Sequence, residues 1–520
     1  MKITFITPTP PDISSFGVRS LSAYLKQKGY KTEIIFLPGG IESLSDSGDF
    51  SYHYDRKVLG QIADICKGSG LIGISFMTYY FDRGVELTRF IKEEMGIPVI
   101  WGGIHPTLRP EEGLEYADMV CVGEGEEMLL QLVQTIERGG SYGNIKGLWF
   151  KDNGTIVRNG VCPIIEDLDR LPFFDYDLTG HYIYDIEKKG ISPLDMNLLK
   201  KTMPLLPYFN NKFYITYRTM TDRGCPHNCT YCNVTELARM YRENKGRYFR
   251  ARSINNVLEE LVTTKKKYPF IQAIQFFDDT FFVRTPTEIK EFSNLYKENI
   301  SLPFYCQGSP NTITEEKIEY LVDAGMVFVE MGIQSGSQKI KKMYRRTESN
   351  ERIIETTRLI SKYRNRLFPP DYHIIIDNPW ETDDDLLETL KLLLKIPKPY
   401  GLCIASLSFF PGTELYNKAK GEGLIKDEKK EIYRRPFLLM PAYKYLNLLI
   451  YLLSFRRFPK WIIRLLGNEK IVKFVSKRDL RPVYKLTYKL IKALEILFKG
   501  LNALFTGDFK RIQRYFHKVR

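Results

Sequence analysis

Three cysteines within eight residues are the most chemically distinctive feature of the sequence. Cys225, Cys229 and Cys232 follow an apolar, β-prone run at 213–217 and share a loop with glycine and proline. Thiols this close together are metal ligands more often than core residues, although a cysteine can also pack as a small hydrophobic side chain. A closed zinc site needs four ligands, and no further Cys or well-placed His completes one. A 4Fe–4S cluster normally takes four thiolates, so three leave one iron open for another ligand.

The spacing Cys-x3-Cys-x2-Cys, with Tyr231 before the last cysteine, resembles the signature of the radical S-adenosylmethionine (SAM) superfamily. The resemblance implies that Cys225, Cys229 and Cys232 hold a 4Fe–4S cluster whose open iron is chelated by SAM. It also implies that an electron from the cluster splits the sulfonium to give a 5′-deoxyadenosyl radical. A structural zinc site and a redox disulfide are the alternatives to this interpretation.

Several later strand ends are similar to the SAM-binding segments of the same superfamily. The resemblance implies that SAM is contacted by Tyr231, Phe277, Asp278, Asp279, Gln307, Glu330, Gln334, Ser335 and Ile376. Paired carboxylates suit hydrogen bonds from the SAM amino group, but one of the two aspartates is also expected to cap the following helix. Cys306 is expected to be a packed thiol, and His373 a core or barrel-lining residue.

Short apolar strands alternate with helical patterns over residues 1–140, which predicts a doubly wound parallel sheet. Ligands bind such sheets at the carboxyl ends of the strands. The segments 101–107 and 123–126 resemble the cobalamin-binding domain of many radical SAM enzymes, including the anaerobic Mg-protoporphyrin cyclase. The resemblance implies cobalamin contacts from Thr9, Pro10, Thr78, Tyr79, Gly102, Gly103, His105, Gly123, Glu124 and Gly125.

The Asp-x-His-x-x-Gly motif, which ligates cobalt in most other cobalamin domains, does not occur in the sequence. We therefore assign no cobalt ligand and no catalytic residue. His105 is expected to be a turn or supporting residue and not a metal ligand.

The sequence thus predicts an α/β protein in four parts. The resemblance implies that the second large domain is a partial (βα)6 TIM-type barrel, since its length is short of a full eightfold barrel. A β-hairpin centred on Asn153-Gly154 precedes it. The predicted parts are a Rossmann-like cobalamin-binding domain (1–140), a hairpin and linker (141–207), the radical SAM barrel (208–435) and a basic amphipathic helical tail (436–520).

The positive charge is concentrated in the tail. The chain has a net charge of +14, and residues 441–520 hold 19 Lys and Arg against 4 Asp and Glu. Apolar residues recur at helical spacing in this tail, at Val483, Leu486, Leu490, Leu494 and Leu497. A basic amphipathic helix is typical of a membrane-surface anchor, but it can equally be a helical cap whose apolar stripe docks on the barrel. Nucleic-acid binding ranks third among these alternatives, because apolar residues dominate the tail and it contains no recognisable RNA-binding module.

The compartment and the partners follow from the same observations. Eight scattered cysteines do not form a disulfide framework, and the sequence begins as a strand without a secretory signal, so we expect a cytoplasmic protein. The basic tail could place it at the inner face of the membrane. The expected partners are a small-molecule or lipid substrate and an external electron donor of the flavodoxin or ferredoxin type.

The commonest reaction implied by the resemblance is methylation of an unactivated carbon or phosphorus centre. The alternative is ring formation or oxidation with the same cofactors, as in the porphyrin cyclase group. A tRNA-modifying methylthiotransferase needs a second cluster, but Cys66, Cys121 and Cys162 are too far apart to hold one. A non-catalytic cluster protein is the last alternative.

Overall fold

A computed structural model describes residues 1–9, 13–38, 53–209, 212–244, 246–434, 444–455, 458–478 and 480–505. The predicted contact Pro10 lies outside the described residues. The strands are β1 (Lys2–Thr9), β2 (Lys31–Pro38), β3 (Leu71–Ser75), β4 (Val99–Gly102), β5 (Met119–Cys121), β6 (Leu148–Asp152), β7 (Thr155–Arg158), β8 (His181–Asp185), β9 (Gly190–Pro193), β10 (Leu205–Pro207), β11 (Phe213–Thr219), β12 (Asp222–Arg223), β13 (Arg250–Ala251), β14 (Ala273–Phe276), β15 (Phe304–Gly308), β16 (Met326–Gln334), β17 (Asp371–Ile376) and β18 (Gly401–Ser406).

Helices connect most of these strands. They are α1 (Phe16–Gln27), α2 (Arg56–Cys66), α3 (Phe81–Met95), α4 (Ile104–Leu108), α5 (Pro110–Gly113), α6 (Glu126–Arg138), α7 (Met196–Thr202), α8 (Asn233–Glu243), α9 (Ile254–Lys267), α10 (Pro286–Asn299), α11 (Glu315–Ala324), α12 (Gln338–Met343), α13 (Asn350–Lys362), α14 (Asp383–Lys395), α15 (Glu414–Gly421), α16 (Tyr445–Ser454), α17 (Lys460–Leu466), α18 (Glu469–Ser476) and α19 (Arg481–Phe505). Within the described ranges, no helix is long and apolar enough to cross a membrane.

The first sheet contains nine strands among the residues described, in the order β7-β6-β5-β4-β3-β1-β2-β8-β9. Its six central strands are parallel, and the outer strands β6, β7 and β9 are antiparallel to their neighbours. Both faces are buried, because Ile3 and Phe5 join one apolar cluster while Ile6 joins another. This confirms the doubly wound parallel sheet. The segment 141–207, predicted as hairpin and linker, supplies four strands to it.

The second sheet has the order β10-β11-β14-β15-β16-β17-β18 in the described part of the chain. Its last six strands are parallel, and helices on the outer side separate them. Thr285 and Thr382 begin α10 and α14 with capping boxes, so the turns that follow strands β14 and β17 are locally well defined. The predicted partial barrel of six βα units is confirmed.

The beginning of the tail packs against the barrel. The α16 side chains Leu446, Leu449, Ile450 and Leu453 are buried in the same apolar cluster as α14 and β18. Asn447 Nδ2 donates to Asp377 Oδ1 at 2.8 Å, just beyond the end of β17. This part of the tail therefore behaves as the predicted helical cap.

Candidate functional site

The three-cysteine loop begins at a glycine that no other residue could replace without strain. Gly224 has φ +91°, and a Cβ there would lie 2.8 Å from Tyr248 Cδ1 and 2.9 Å from Tyr248 O. The preceding residues form β12, which pairs antiparallel with β13, so the cysteine loop and α8 lie in the chain between these two paired strands. Both the left-handed backbone and the lack of space therefore require glycine at this position.

Hydrogen bonds and a ring contact attach the last part of the loop, at Thr230 and Tyr231, to the barrel. Thr230 Oγ1 donates to Met343 O at 2.7 Å, and Leu415 N donates to Thr230 O at 3.1 Å. The ring of Tyr231 meets that of Tyr344 edge-on, with 5.0 Å between their centres. These contacts hold the cysteines against the ends of α12 and α15.

The protein environment alone does not favour ionised thiols in this loop. Burial raises the pKa of Cys225 and of Cys232 to about 12, and the charge of Asp279 acts in the same direction. Arg346 Nη1 donates to Cys229 Sγ at 3.8 Å, and the same guanidinium also donates to Gly332 O at 2.9 Å. Cys225 and Cys232 therefore need additional positive charge, such as that of metal ions, to become thiolates.

The number of thiols in the loop indicates whether it suits a mononuclear zinc ion or a 4Fe–4S cluster. Among the described residues, no group of three or more His, Cys, Asp or Glu side chains is arranged to hold a metal ion. A mononuclear zinc ion requires such convergence, whereas each thiolate of a 4Fe–4S cluster binds a different iron and the sulfurs surround a cube. The loop supplies three thiols, one fewer than a closed zinc site needs, and this donor set fits a 4Fe–4S cluster with one open iron.

The two aspartates after β14 have different environments. Asp278 is fully buried, and its carboxylate accepts hydrogen bonds from Thr221 N at 2.5 Å, Thr221 Oγ1 at 2.7 Å and Asp222 N at 3.2 Å. Asp279 is exposed at the surface, but the protein around its carboxyl group excludes much of the solvent, and this desolvation, together with the charge of Asp278, raises its pKa to about 6. The side chain of Asp279 is therefore accessible in the space at the mouth of the barrel, which we call the recess. Asp278 instead holds residues 221 and 222, just before the cysteine loop.

Neither aspartate caps the following helical turn, so that alternative expectation is wrong. The turn begins after Thr280 without a side-chain cap, because the Asp278 oxygens are already engaged by the cysteine loop. Phe277 is 40% exposed and lies 6.0 Å from the ring of Phe16, which belongs to the first domain. Two of the predicted SAM contacts, Phe277 and Asp279, therefore face accessible space at the junction of the domains.

A group of polar side chains lines the inner surface of the barrel. Arg218 Nε donates to Gln275 Oε1 at 2.6 Å, and Gln307 Nε2 donates to Glu330 Oε2 at 2.9 Å. Burial raises the pKa of Glu330, although Arg218 and Gln307 oppose this effect. His373 Nε2 lies 4.0 Å from Glu330 Oε2, so His373 lines the barrel as expected. Cys306 is a packed thiol, as predicted: it is buried, with Sγ 3.3 Å from Met326 Sδ.

The remaining predicted SAM contacts differ in accessibility. Gln334, at the end of β16, has φ +66° and is partly exposed. Ser335 is fully buried, with Oγ 3.1 Å from Thr389 Oγ1. Ile376 is also fully buried in the main core, whereas its neighbour Ile375 packs in the apolar cluster that includes Tyr231. A SAM contact from Ser335 or Ile376 would therefore involve the backbone and not the side chain.

The predicted cobalamin loops lie at the carboxyl ends of the first sheet. Thr9 ends β1, and Gly102 ends β4. Gly103 has φ +97°, and a Cβ there would lie 2.7 Å from Phe76 O, so glycine is required. His105 is buried, with Nδ1 3.2 Å from Thr78 Oγ1, and burial together with Arg109 lowers its pKa to about 3.

The Gly123-Glu124-Gly125 loop contacts the barrel directly. A Cβ on Gly123 would lie 2.4 Å from Tyr241 Oη on α8, and Glu124 N donates to the same oxygen at 2.7 Å. Gly125 is buried, and a Cβ there would lie 3.1 Å from Leu21 Cδ2. This loop therefore lies at the junction between the two domains.

A buried ionic network joins this loop to the residues just before the cysteines. Arg223 Nη2 lies 2.6 Å from Glu126 Oε1 and donates to Ser20 Oγ at 3.0 Å, while Arg223 Nη1 lies 3.5 Å from Glu124 Oε1. Glu124 also pairs with Arg250 of the neighbouring strand. Burial acts to raise the pKa of Glu126, but Arg223 outweighs it, so the pKa lies below its ordinary value.

The carboxyl ends of the two parallel sheets therefore face each other. Besides the ionic network, Tyr79 after β3 lies 5.6 Å from the ring of Phe410 after β18. A second set of contacts closes the junction on another side, where Arg434 Nε lies 2.6 Å from Asp82 Oδ2. Ligands bind parallel sheets at these ends, so the arrangement places the two ligand-binding edges opposite one another.

The sequence interpretation did not assign functions to Arg223, Arg250, Tyr241 and Arg346. Arg223 could have been noticed because it directly precedes Gly224 and the first cysteine. The partners of the other three lie between 14 and 126 residues away in the chain, and no local pattern indicates them.

Comparisons with known proteins agree with this architecture. Residues 221–393 match the radical SAM superfamily, and residues 4–133 match the B12 binding domain family. An uncharacterized methyltransferase of Pyrococcus horikoshii is 26% identical over 359 residues, which cover 68% of this chain and 70% of that protein. The anaerobic magnesium-protoporphyrin IX monomethyl ester cyclase of Rubrivivax gelatinosus is 25% identical over 72% of this chain and 61% of its own length.

A solved structure shares the fold across both domains. The radical S-adenosylmethionine methyltransferase TsrM of Kitasatospora setae, with cobalamin and a [4Fe-4S] cluster bound, gives a TM-score of 0.62 at 16% identity. The match covers 81% of this chain and 78% of that one. The two family matches bring with them a 4Fe–4S cluster, SAM and cobalamin as cofactors. The chain is a radical SAM enzyme that carries an N-terminal B12-binding domain.

Proposed function

We propose that this enzyme is a cobalamin-dependent radical SAM methyltransferase that acts on an unactivated carbon or phosphorus centre. The observation that carries the proposal is the opposition of the two carboxyl edges, one bearing the three-cysteine loop and the other belonging to the B12-binding domain. A methyl carrier and a source of radicals must share one substrate, and this arrangement gives both access to the same recess.

The residues of the chain have distinct roles in this proposal. Cys225, Cys229 and Cys232 hold the cluster, which supplies an electron to the sulfonium of SAM, and cobalamin carries the methyl group. Asp279 accepts a hydrogen bond from the SAM amino group at the mouth of the barrel. Two aromatic pairs across the junction, Phe16 with Phe277 and Tyr79 with Phe410, limit the access of water to the recess.

The barrel interior supplies the recognition groups in this proposal. The ordered pairs of Arg218 with Gln275 and of Gln307 with Glu330 present both donors and acceptors to a polar part of the substrate. The partners are a small-molecule or lipid substrate and an external one-electron donor of the flavodoxin or ferredoxin type. The porphyrin cyclase relative supports the second candidate function, ring formation or oxidation with the same cofactors.

Anaerobic reconstitution with iron, sulfide and cobalamin tests the proposal. The native chain should bind iron and corrin, and in the presence of SAM and a reductant it should produce 5′-deoxyadenosine and S-adenosylhomocysteine. Cys229→Ala should lose cluster absorbance and both products. Cys66→Ala, a buried cysteine of α2 that is remote from the loop in sequence, is the matched control and should retain them.

The products also separate the candidates. Formation of 5′-deoxyadenosine without S-adenosylhomocysteine, with corrin bound, would favour the cyclase or oxidase reaction. Full occupancy by zinc without iron, or SAM cleavage that survives in Cys229→Ala, would refute the radical SAM mechanism for this chain.

A further inference from the structure

The last described helix, α19, directs a stripe of apolar side chains away from the rest of the protein. Its members recur every three or four residues and are between 52% and 60% exposed: Val483, Leu486, Leu490, Leu494 and Leu497. The helix is attached through a different side, where Tyr484 lies 5.8 Å from Tyr445 and Tyr488 lies 4.9 Å from Tyr451. At 3.6 residues per turn, the stripe and these tyrosines are roughly 150° apart around the helix.

The stripe is too regular and too large to be an ordinary surface feature. Scattered apolar residues are common on soluble proteins, but a continuous apolar face usually marks a binding surface. The two helices before α19 add further exposed apolar side chains, Trp461 and Leu465 on α17 and Phe474 on α18. The tail thus docks through α16 together with Ile463 of α17 and Val472 of α18, while the apolar side chains named here stay exposed.

Charge identifies the kind of partner that this surface fits. Residues 441–520 contain 19 Lys and Arg but 4 Asp and Glu, and Lys485 and Lys489 on α19 are exposed. A second copy of the chain would bring another strongly basic surface into contact with this one, which is unfavourable. A nucleic acid would neutralise the lysines but leave the leucines in water. An anionic lipid bilayer satisfies both the charge and the apolar stripe.

We propose that α19 lies in the surface of an anionic lipid bilayer, with its leucine stripe inserted at the level of the headgroups and its lysines near the lipid phosphates. The 25-residue helix would then contact the bilayer along about 37 Å, at 1.5 Å per residue. The tyrosine side would stay on α16 and hold the barrel at the membrane. This inference rests on the tail alone and does not depend on the proposed methyl transfer.

Vesicle binding by the full-length protein tests the inference. The probes are vesicles of phosphatidylcholine with phosphatidylglycerol, compared with vesicles of phosphatidylcholine alone. The native chain should sediment with the anionic vesicles, and high salt should weaken the binding because it screens the lysines. The triple variant Leu486→Asn, Leu490→Asn, Leu494→Asn should bind at least about tenfold more weakly, since it removes most of the inserted apolar area.

A matched control separates the stripe from exposed apolar residues in general. Ile186 and Val262 are also exposed, on the first domain and on α9 respectively, and the variant Ile186→Asn, Val262→Asn should bind vesicles like the native chain. Circular dichroism and SAM cleavage should be unchanged in both variants, because neither set of residues belongs to the candidate site. These readouts distinguish a failure of this inference from a failure of the proposed function.

Three results would overturn the inference. The first is equal vesicle binding by the native chain and the triple variant, and the second is binding that ignores both lipid charge and salt. The third is a native dimer in sedimentation velocity that the triple variant converts to a monomer, without any vesicle binding by either protein. That last result would assign the stripe to a second copy of the chain.

Discussion

Glu381 provides a sharp test of the electrostatics of the barrel. It lies in the turn between β17 and α14, is 7% exposed, and its Oε2 has no hydrogen-bond partner among the described residues. Burial raises its pKa from 4.5 to about 8; Lys444 opposes the rise, and Asp385 and Asp377 add to it. The folded protein therefore keeps this carboxyl protonated at neutral pH. We propose the substitution Glu381→Gln, which has nearly the same shape and cannot ionise.

The size and the sign of the effect follow from proton linkage. Between pH 4.5 and about 8 the unfolded state has released the Glu381 proton, whereas the folded state still binds it. The native protein should therefore lose stability as the pH rises through this range, by about 1.4 kcal/mol for each pH unit. The full rise in pKa corresponds to up to about 5 kcal/mol, and this loss is complete only above the folded pKa. Glu381→Gln should remove this slope.

Urea unfolding at a series of pH values between 5 and 8.5 measures the effect. Intrinsic fluorescence can follow the transition, because Trp380 is adjacent to Glu381. The variant should gain stability over the native chain as the pH rises, with the largest difference at pH 8.5, above the folded pKa of Glu381. Glu355→Gln, at an exposed glutamate of α13, is the control and should follow the native profile. Parallel profiles for the native chain and Glu381→Gln would refute the reasoning.

Two further substitutions test the ionic network at the junction of the domains and the glycine that begins the cysteine loop. Arg223→Met leaves Glu126 buried without its ion-pair partner and should lower the free energy of unfolding by about 3–5 kcal/mol, measured with urea. Lys67→Met removes an exposed pair with Asp64 at the end of α2 and should cost at most about 1 kcal/mol, so equal losses in the two variants would contradict the buried network. Gly224→Ala should strongly reduce iron loading after reconstitution, because neither its φ nor the nearby Tyr248 backbone admits a Cβ. Gly421→Ala, which meets nothing within 4 Å, should load iron normally, and normal loading of both would show that the loop tolerates the side chain.

The parts of the fold that depend on local pattern could be predicted from the sequence. The alternation of strand and helix patterns predicts the two parallel sheets, and Asn153-Gly154 predicts the hairpin of β6 and β7. Both signals are local, because the spacing of apolar residues and the choice of turn residues are properties of neighbouring positions. The placement of the cysteine loop between β11 and α8 has the same origin. The pairing of β6–β9 with the first sheet could not be predicted in this way, since edge strands can join either sheet.

Side-chain direction at the strand ends was harder to predict. Asp278 and Asp279 are adjacent in sequence, but one is fully buried under the cysteine loop and the other opens into the recess. Ile375 and Ile376 likewise face opposite sides of β17, because successive residues of a strand alternate. A motif identifies the strand end, but it does not identify which of two neighbours reaches the ligand. That choice depends on the register with distant strands.

The ionic network has a consequence for how the two domains can move. Arg223 is two residues from Cys225, and its partners Glu124 and Glu126 begin the loop and helix at the end of β5. Charges buried in this way are costly to separate, because each would lose its partner in a poorly solvated environment. The cysteine loop and the carboxyl edge of the first sheet should therefore move as one unit. Any opening that admits a substrate must then occur at another side of the junction, such as the aromatic contact of Tyr79 with Phe410, which contains no buried ion pair.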